Sequence, residues 1–181
     1  KDEKEPVGGA TPTTKQLAQR PFSVVGDSVA LSARTAILEV LPKARFDAVV
    51  GRQPYDTIDR VEERRRLDKL ADMLVLQTGT NGIPVGEDRR ALLVDLRDLD
   101  AIVLVNVQAQ VPWMEQSNTA IAKASQGLDN VVVVDWAALS ELHALVSAQN
   151  AKLPALADAD FRSHIEMTAV RWPSLGRDDP A

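Results

Sequence analysis

The run Ala101–Val107, AIVLVNV, opens with five successive apolar residues. A half-exposed strand or an amphipathic helix would interrupt such a run with polar positions, so it reads as a strand covered on both faces, as parallel strands are. Asn130–Trp136, NVVVVDW, has the same character. Working outward, three further runs, Phe22–Val25 (FSVV), Phe46–Val50 (FDAVV) and Met73–Thr78 (MLVLQT), each precede a segment of helical period. The helical segments span Ser28–Leu41, Pro54–Leu70, Glu87–Leu99, Glu115–Ser125 and Ala137–Gln149. Apolar residues recur on one side of them, as with Ile58, Val61, Leu67 and Leu70, or Leu92, Leu93, Leu96 and Leu99. Five strand–helix units predict an α/β fold with a doubly wound, five-stranded, mostly parallel sheet.

The chain of 181 residues is long enough for one well-packed domain. Residues 1–20 are charged and rich in Gly, Pro and Thr, and read as a flexible linker. The domain is expected over 21–172, with 173–181 as a C-terminal tail. The net charge of −5 provides no basic stripe for phosphates, and Arg64, Arg65 and Arg66 sit beside Glu62, Glu63 and Asp68, as on a solvated helix face. Nucleic acid is therefore not an expected partner. With no cysteine and only His143 and His164, neither a thiolate nor a multi-histidine metal site is expected, and no cofactor is called for. No apolar run approaches the roughly 20 residues of a membrane span, and the N-terminus has no signal-peptide core. Export would depend on a segment outside the chain.

In a doubly wound sheet the functional groups gather where strands end at their carboxyl edges. Those ends read Gly26-Asp27-Ser28, Gly51-Arg52-Gln53, Thr78-Gly79-Thr80-Asn81-Gly82, then Gln108, Gln110 and Val111-Pro112-Trp113, and finally Asp135-Trp136. Asp27 and Ser28 are both good helix N-caps, and Gly51 and the Thr-Gly-Thr-Asn-Gly segment are good turns. Together they also supply acyl-transfer parts. Ser28 is a candidate nucleophile, with its own N–H, the Gly51 N–H and the Asn81 amide as candidate oxyanion donors. No G-x-G-x-x-G or P-loop follows the first strand, which ranks a flavodoxin-like nucleotide binder low.

GDSV (26–29), the glycine of VVGRQ (49–53) and GTNG (79–82) resemble the first three blocks of the SGNH (GDSL-type) hydrolases, in matching order and on matching elements. With LVLQTGTNG, the Val-Pro-Trp corner, Asn118 and VVVDW, the chain resembles a narrower group. These are the extracytoplasmic C-terminal domains of acyltransferase family three cell-envelope O-acetyltransferases, of the peptidoglycan type. The resemblance is good over about Pro21–Trp136 and weaker beyond. It implies the flavodoxin-like SGNH hydrolase fold, Ser28 as nucleophile, and Ser28, Gly51 and Asn81 as the oxyanion hole. Asp27, Gln53, Thr80 and Trp113 are then the rim residues expected to touch substrate.

The family's closing Asp-x-x-His is altered here to LADADFRSHIEM, with Phe161 three before His164. His164 remains the expected base, ahead of His143 within ELHALV. Its acid is Asp160 through a bulged loop, or Asp158, or the site is a Ser-His dyad. The resemblance further implies an acetyl donor delivered by a membrane acyltransferase domain, and a cell-envelope glycan or lipid acceptor. It places a monomeric domain at the extracytoplasmic face of a bacterial plasma membrane. A stand-alone carbohydrate esterase and a catalytically impaired binding module are the alternatives.

Overall fold

The structure is a computed structural model and describes residues 13–83 and 86–140. The described elements run α1 (Thr14–Ala18), β1 (Phe22–Gly26), α2 (Ser28–Ser32), α3 (Arg34–Val40), β2 (Ala44–Ala48), α4 (Pro54–Arg66), β3 (Met73–Gln77), α5 (Gly86–Asp95), β4 (Ala101–Val105), α6 (Met114–Ser125) and β5 (Val131–Val134). A further helix opens over residues 136–140. The five strands form one sheet in the order β2-β1-β3-β4-β5, and every neighbouring pair is parallel. The expected doubly wound α/β architecture is therefore present. The order reverses at β1, which places the switch point beside the Gly26-Asp27-Ser28 turn.

Both sheet faces are covered around the central strands, which explains why β3 and β4 read as continuous apolar runs. Leu74, Leu76, Ile102 and Leu104 pack with Ile58 and Val61 of α4, Leu92 and Leu93 of α5, Leu96 just after it, and Ile121 of α6. Phe22, Met73 and Ala101 form a smaller cluster with Leu17, Leu41, Ala44 and Val75.

Several boundaries differ from those read in the sequence. A short helix, α1, lies inside the stretch read as linker: Thr13 caps it, Leu17 joins the smaller cluster, and Arg20 pairs with Asp100. A single apolar residue among polar ones gives no periodic signal, yet it is enough to seat the segment. The predicted helix Ser28–Leu41 is divided at Ala33, where the Ser32 hydroxyl donates to the Ser28 carbonyl at 2.8 Å. Such back-bonding bends helices. Strand β2 ends at Ala48, two residues short of the expected FDAVV, and leaves Val49 and Val50 exposed at the sheet edge. Helix α4 ends at Arg66 instead of Leu70, because Asp68 enters the left-handed region (φ 55°). Lys69 N–H then reaches the Arg64 carbonyl at 2.8 Å, closing a Schellman turn.

Candidate functional site

Ser28 is the first residue of α2, directly after β1. Of the two candidate caps, Asp27 does the capping: its Oδ1 accepts from Val29 N–H at 2.8 Å. The Ser28 hydroxyl is thus spared that task, and among the described residues nothing engages it. Asp27 is fully buried while Ser28 is half-buried at the rim. Gly26 is required by close approach, since a Cβ there would sit 2.6 Å from Ala30 Cβ and 3.0 Å from the Gln77 carbonyl. The Gly26-Asp27-Ser28 turn is therefore pressed onto the end of β3.

Gln77, the buried last residue of β3, holds that turn from below and was not singled out in the sequence. Its Oε1 accepts from Asp27 N–H at 3.2 Å and Ala30 N–H at 3.4 Å, on either side of Ser28. Its Nε2 donates to Thr80 Oγ1 at 3.2 Å. A polar residue closing the apolar run MLVLQ is the one signal that could have found it. A buried amide needs partners, and the rim is where they occur.

The second and third turns close around the first. Gly51 adopts φ +76° on an exposed turn between β2 and α4, a conformation that favours glycine. Gln53 Nε2 donates to the Gly51 carbonyl at 3.2 Å. Asn81 Nδ2 donates to Asp27 Oδ2 at 3.4 Å and to the Arg52 carbonyl at 3.2 Å. One amide therefore links the turns after β1, β2 and β3. Gly79, at φ +117°, has no room for a side chain, since a Cβ would meet Val107 Cγ2 at 2.9 Å. Its carbonyl accepts from Trp113 Nε1 at 3.2 Å and Ser117 Oγ at 3.4 Å. Asn118 fixes the end of β4 by pairing with both the N–H (2.7 Å) and the carbonyl (2.9 Å) of Val107.

The structure brings together Ser28, Asp27, Gly51, Gln53, Thr80 and Asn81, with Trp113 supporting the third turn. Asp27, Thr80 and Trp113 each make scaffold hydrogen bonds here, whatever else they touch. His164, Asp160 and Asp158 lie outside the described residues, as does His143. Among the described residues no group of three or more His, Cys, Asp or Glu side chains is placed to hold a metal ion. A groove of about 670 Å³ runs between α5 and α6, but none of its lining residues belongs to the rim. In that groove Arg90 is occupied in closing α6, donating to the Ala124 and Gln126 carbonyls at 2.8 and 2.6 Å.

Beneath the Gly51 turn, Asp47 collects three arginines: Arg52 Nη2 at 2.7 Å, Arg60 Nε at 2.6 Å and Arg64 Nη1 at 3.1 Å. Burial alone would raise its carboxyl, yet the hydrogen bonds from Arg52 and Arg60 outweigh this and hold it below the usual carboxylate range.

A parallel sheet of this order, with a serine on the first strand-end turn and Gly and Asn on the next two, defines an α/β domain with its polar turns gathered on one rim. No family model matches the chain. The chain is a homologue of the peptidoglycan O-acetyltransferase OatA of Listeria monocytogenes, 36% identical over 112 residues that make up 62% of this chain and 18% of that protein. It thus spans about a fifth of the length of the curated relatives it matches. Among solved structures, the fold is similar to the C-terminal catalytic domain of Streptococcus pneumoniae peptidoglycan O-acetyltransferase A, which carries a methylsulfonyl adduct (TM-score 0.55, 20% identity, 72% of this chain and 76% of that one). LAE5, an α/β hydrolase from the Lake Arreo metagenome, shares the fold at TM-score 0.51 and 11% identity, over 70% of this chain and 81% of that one.

Proposed function

We propose that this chain is the acyl-transfer domain of a cell-envelope O-acetyltransferase, with Ser28 as its nucleophile. The observation that carries the reading is that the turns after β1, β2 and β3 are tied together around Asp27, beside a serine hydroxyl that no described residue engages. Ser28 Oγ attacks the acetyl carbonyl, and His164 takes its proton and returns it to the departing alcohol. The oxyanion is held by the N–H groups of Ser28 and Gly51 and by Asn81 Nδ2. Asn81 already donates to Asp27 and Arg52, so one of those bonds, the 3.4 Å contact to Asp27 being the longer, yields to the oxyanion. The acetyl-Ser28 ester then passes its acyl group to a hydroxyl of a cell-wall glycan; His164 takes that hydroxyl's proton and returns it to Ser28 Oγ as the acyl–Oγ bond breaks. Asp160 or Asp158 orients that histidine. We assign the stretch before Thr13 to a tether and the donor to a membrane acyltransferase domain, which places the site at the outer face of a bacterial plasma membrane.

The test uses an activated acetyl ester with oligosaccharide fragments of peptidoglycan as acceptor. The reading expects O-acetylated sugar, lost in Ser28→Ala and His164→Ala. Equal turnover in all three proteins would eliminate it. Acetate release with no sugar product, dependent on Ser28, would identify an esterase instead.

A further inference from the structure

Arg52 carries connections that the proposed chemistry does not use. Its Nη1 donates to the Gly26 carbonyl at 3.2 Å and to the Asp47 carbonyl at 2.5 Å, and its Nη2 pairs with Asp47 Oδ1 at 2.7 Å. Both side chains of that pair are below 10% exposed, at 8% and 9%. At its other end, the Arg52 carbonyl accepts from Asn81 Nδ2 at 3.2 Å. Gly26 lies two residues before Ser28, and Gly51 immediately precedes Arg52. A single residue therefore grips the strand end that carries the serine, the turn that carries Gly51 and the loop that carries Asn81.

Apart from the Gln53 Nε2 bond to the Gly51 carbonyl at 3.2 Å, which is internal to the turn, the Gly51 turn has few other holds among the described residues. Its chain neighbours aside, no described residue lies within 4 Å of where a Cβ would stand at Gly51, and Val49 and Val50 before it are exposed. The turn is fixed from its flanks, by Val49 N–H to the Gly26 carbonyl at 3.3 Å on one side and by Arg52 on the other. Asp47 is in turn braced by Arg60 and Arg64 from α4.

We infer that Arg52, anchored by Asp47, is the positioning residue of the oxyanion hole, setting where the Gly51 N–H and the Asn81 amide stand relative to Ser28. This rests on the roles proposed above for Ser28, Gly51 and Asn81. Oxyanion donors act within a narrow range, about 2.7–3.1 Å from the developing charge. A displacement near 1 Å costs on the order of a hundredfold in rate. The planar fork of arginine spans two carbonyls and a carboxylate together, whereas the single ammonium of lysine preserves only the charge pairing.

Arg52→Lys separates positioning from mere stability. The variant keeps an ion pair with Asp47, so its melting temperature is expected within about 3 °C of wild type. Its kcat for an acetyl ester is expected to fall by about tenfold to a hundredfold, with KM changed by less than about threefold. Arg52→Ala is expected to lose both stability and kcat. In the ¹⁵N spectrum of Arg52→Lys, the Gly51 amide and the Asn81 side-chain amide should shift and broaden while core amides hold their positions. A kcat within about twofold of an active wild type overturns the inference. Unchanged Gly51 and Asn81 resonances overturn it whatever the activity. An inactive wild type, with those two resonances displaced in the variant, supports the positional link and counts against the acyl-transfer reading.

Discussion

Arg89 is buried on α5 together with Leu92 and Leu93, and it is 1% exposed. Its Nε and Nη2 have no hydrogen-bond partner among the described residues, and burial pushes its guanidinium down from the usual arginine range to about 10. At about 1.36 kcal/mol per tenfold in proton affinity, that drop is a penalty of about 3 kcal/mol on the charged form. Methionine fills a similar length without the charge, so Arg89→Met is expected to stabilise the fold by about 1–3 kcal/mol. The corresponding rise in melting temperature is about 2–4 °C per kcal/mol for a chain of this size. The folded-state pKa lies below the unfolded one for a base, so the penalty is complete below about pH 10 and is relieved as pH climbs from there toward the usual arginine range. Thermal melts at pH 7 and near pH 11 therefore carry a paired expectation: a clear gap between variant and wild type at the first, a narrower one at the second. A variant that melts several degrees below wild type at pH 7 would refute the reasoning, since the guanidinium would then contribute more than its burial costs.

Gly26→Ala places a methyl against Ala30 and the Gln77 carbonyl, and should cost about 1–3 kcal/mol in thermal melts. It should also slow modification of Ser28 by more than about tenfold, because the only relief is movement of the serine turn. Adding Ala30→Gly removes the closer clash and should recover part of both losses. Asp47 is held below the usual carboxylate range, so its contribution is complete above about pH 4 and disappears as pH falls through its folded-state value. Asp47→Asn should lower the melting temperature at pH 7 and flatten its further fall below pH 4; parallel acid limbs in the two proteins would contradict this.

The inner strands were readable because AIVLVNV and MLVLQ are apolar on both faces, and only a two-sided environment asks for that. Edge strand β2 was not, since ARFDA mixes exposed and half-buried positions, while the more apolar Val49 and Val50 stand outside the strand. The ends of α2 and α4 turn on single local events, the Ser32 back-bond and the left-handed Asp68, which leave no periodic trace. Ser28, Gly51 and Asn81 were legible as rim residues because their types fit strand-end turns. The roles of Gln77 and of Arg52, itself one of the strand-end residues, were not, because they depend on which distant carbonyls and amides the sheet brings to them. The Asp27 cap, too, became distinguishable from a Ser28 cap only once the Val29 contact was placed.

The central claim is that the Ser28 hydroxyl is an activated nucleophile, and covalent labelling tests it most directly. Treatment of the intact chain with methanesulfonyl fluoride, followed by peptide mass spectrometry, is expected to give one methylsulfonyl group on the peptide containing Ser28. That adduct should be absent in Ser28→Ala and strongly slowed in His164→Ala. No adduct on Ser28, or labelling that proceeds equally without His164, would contradict the account.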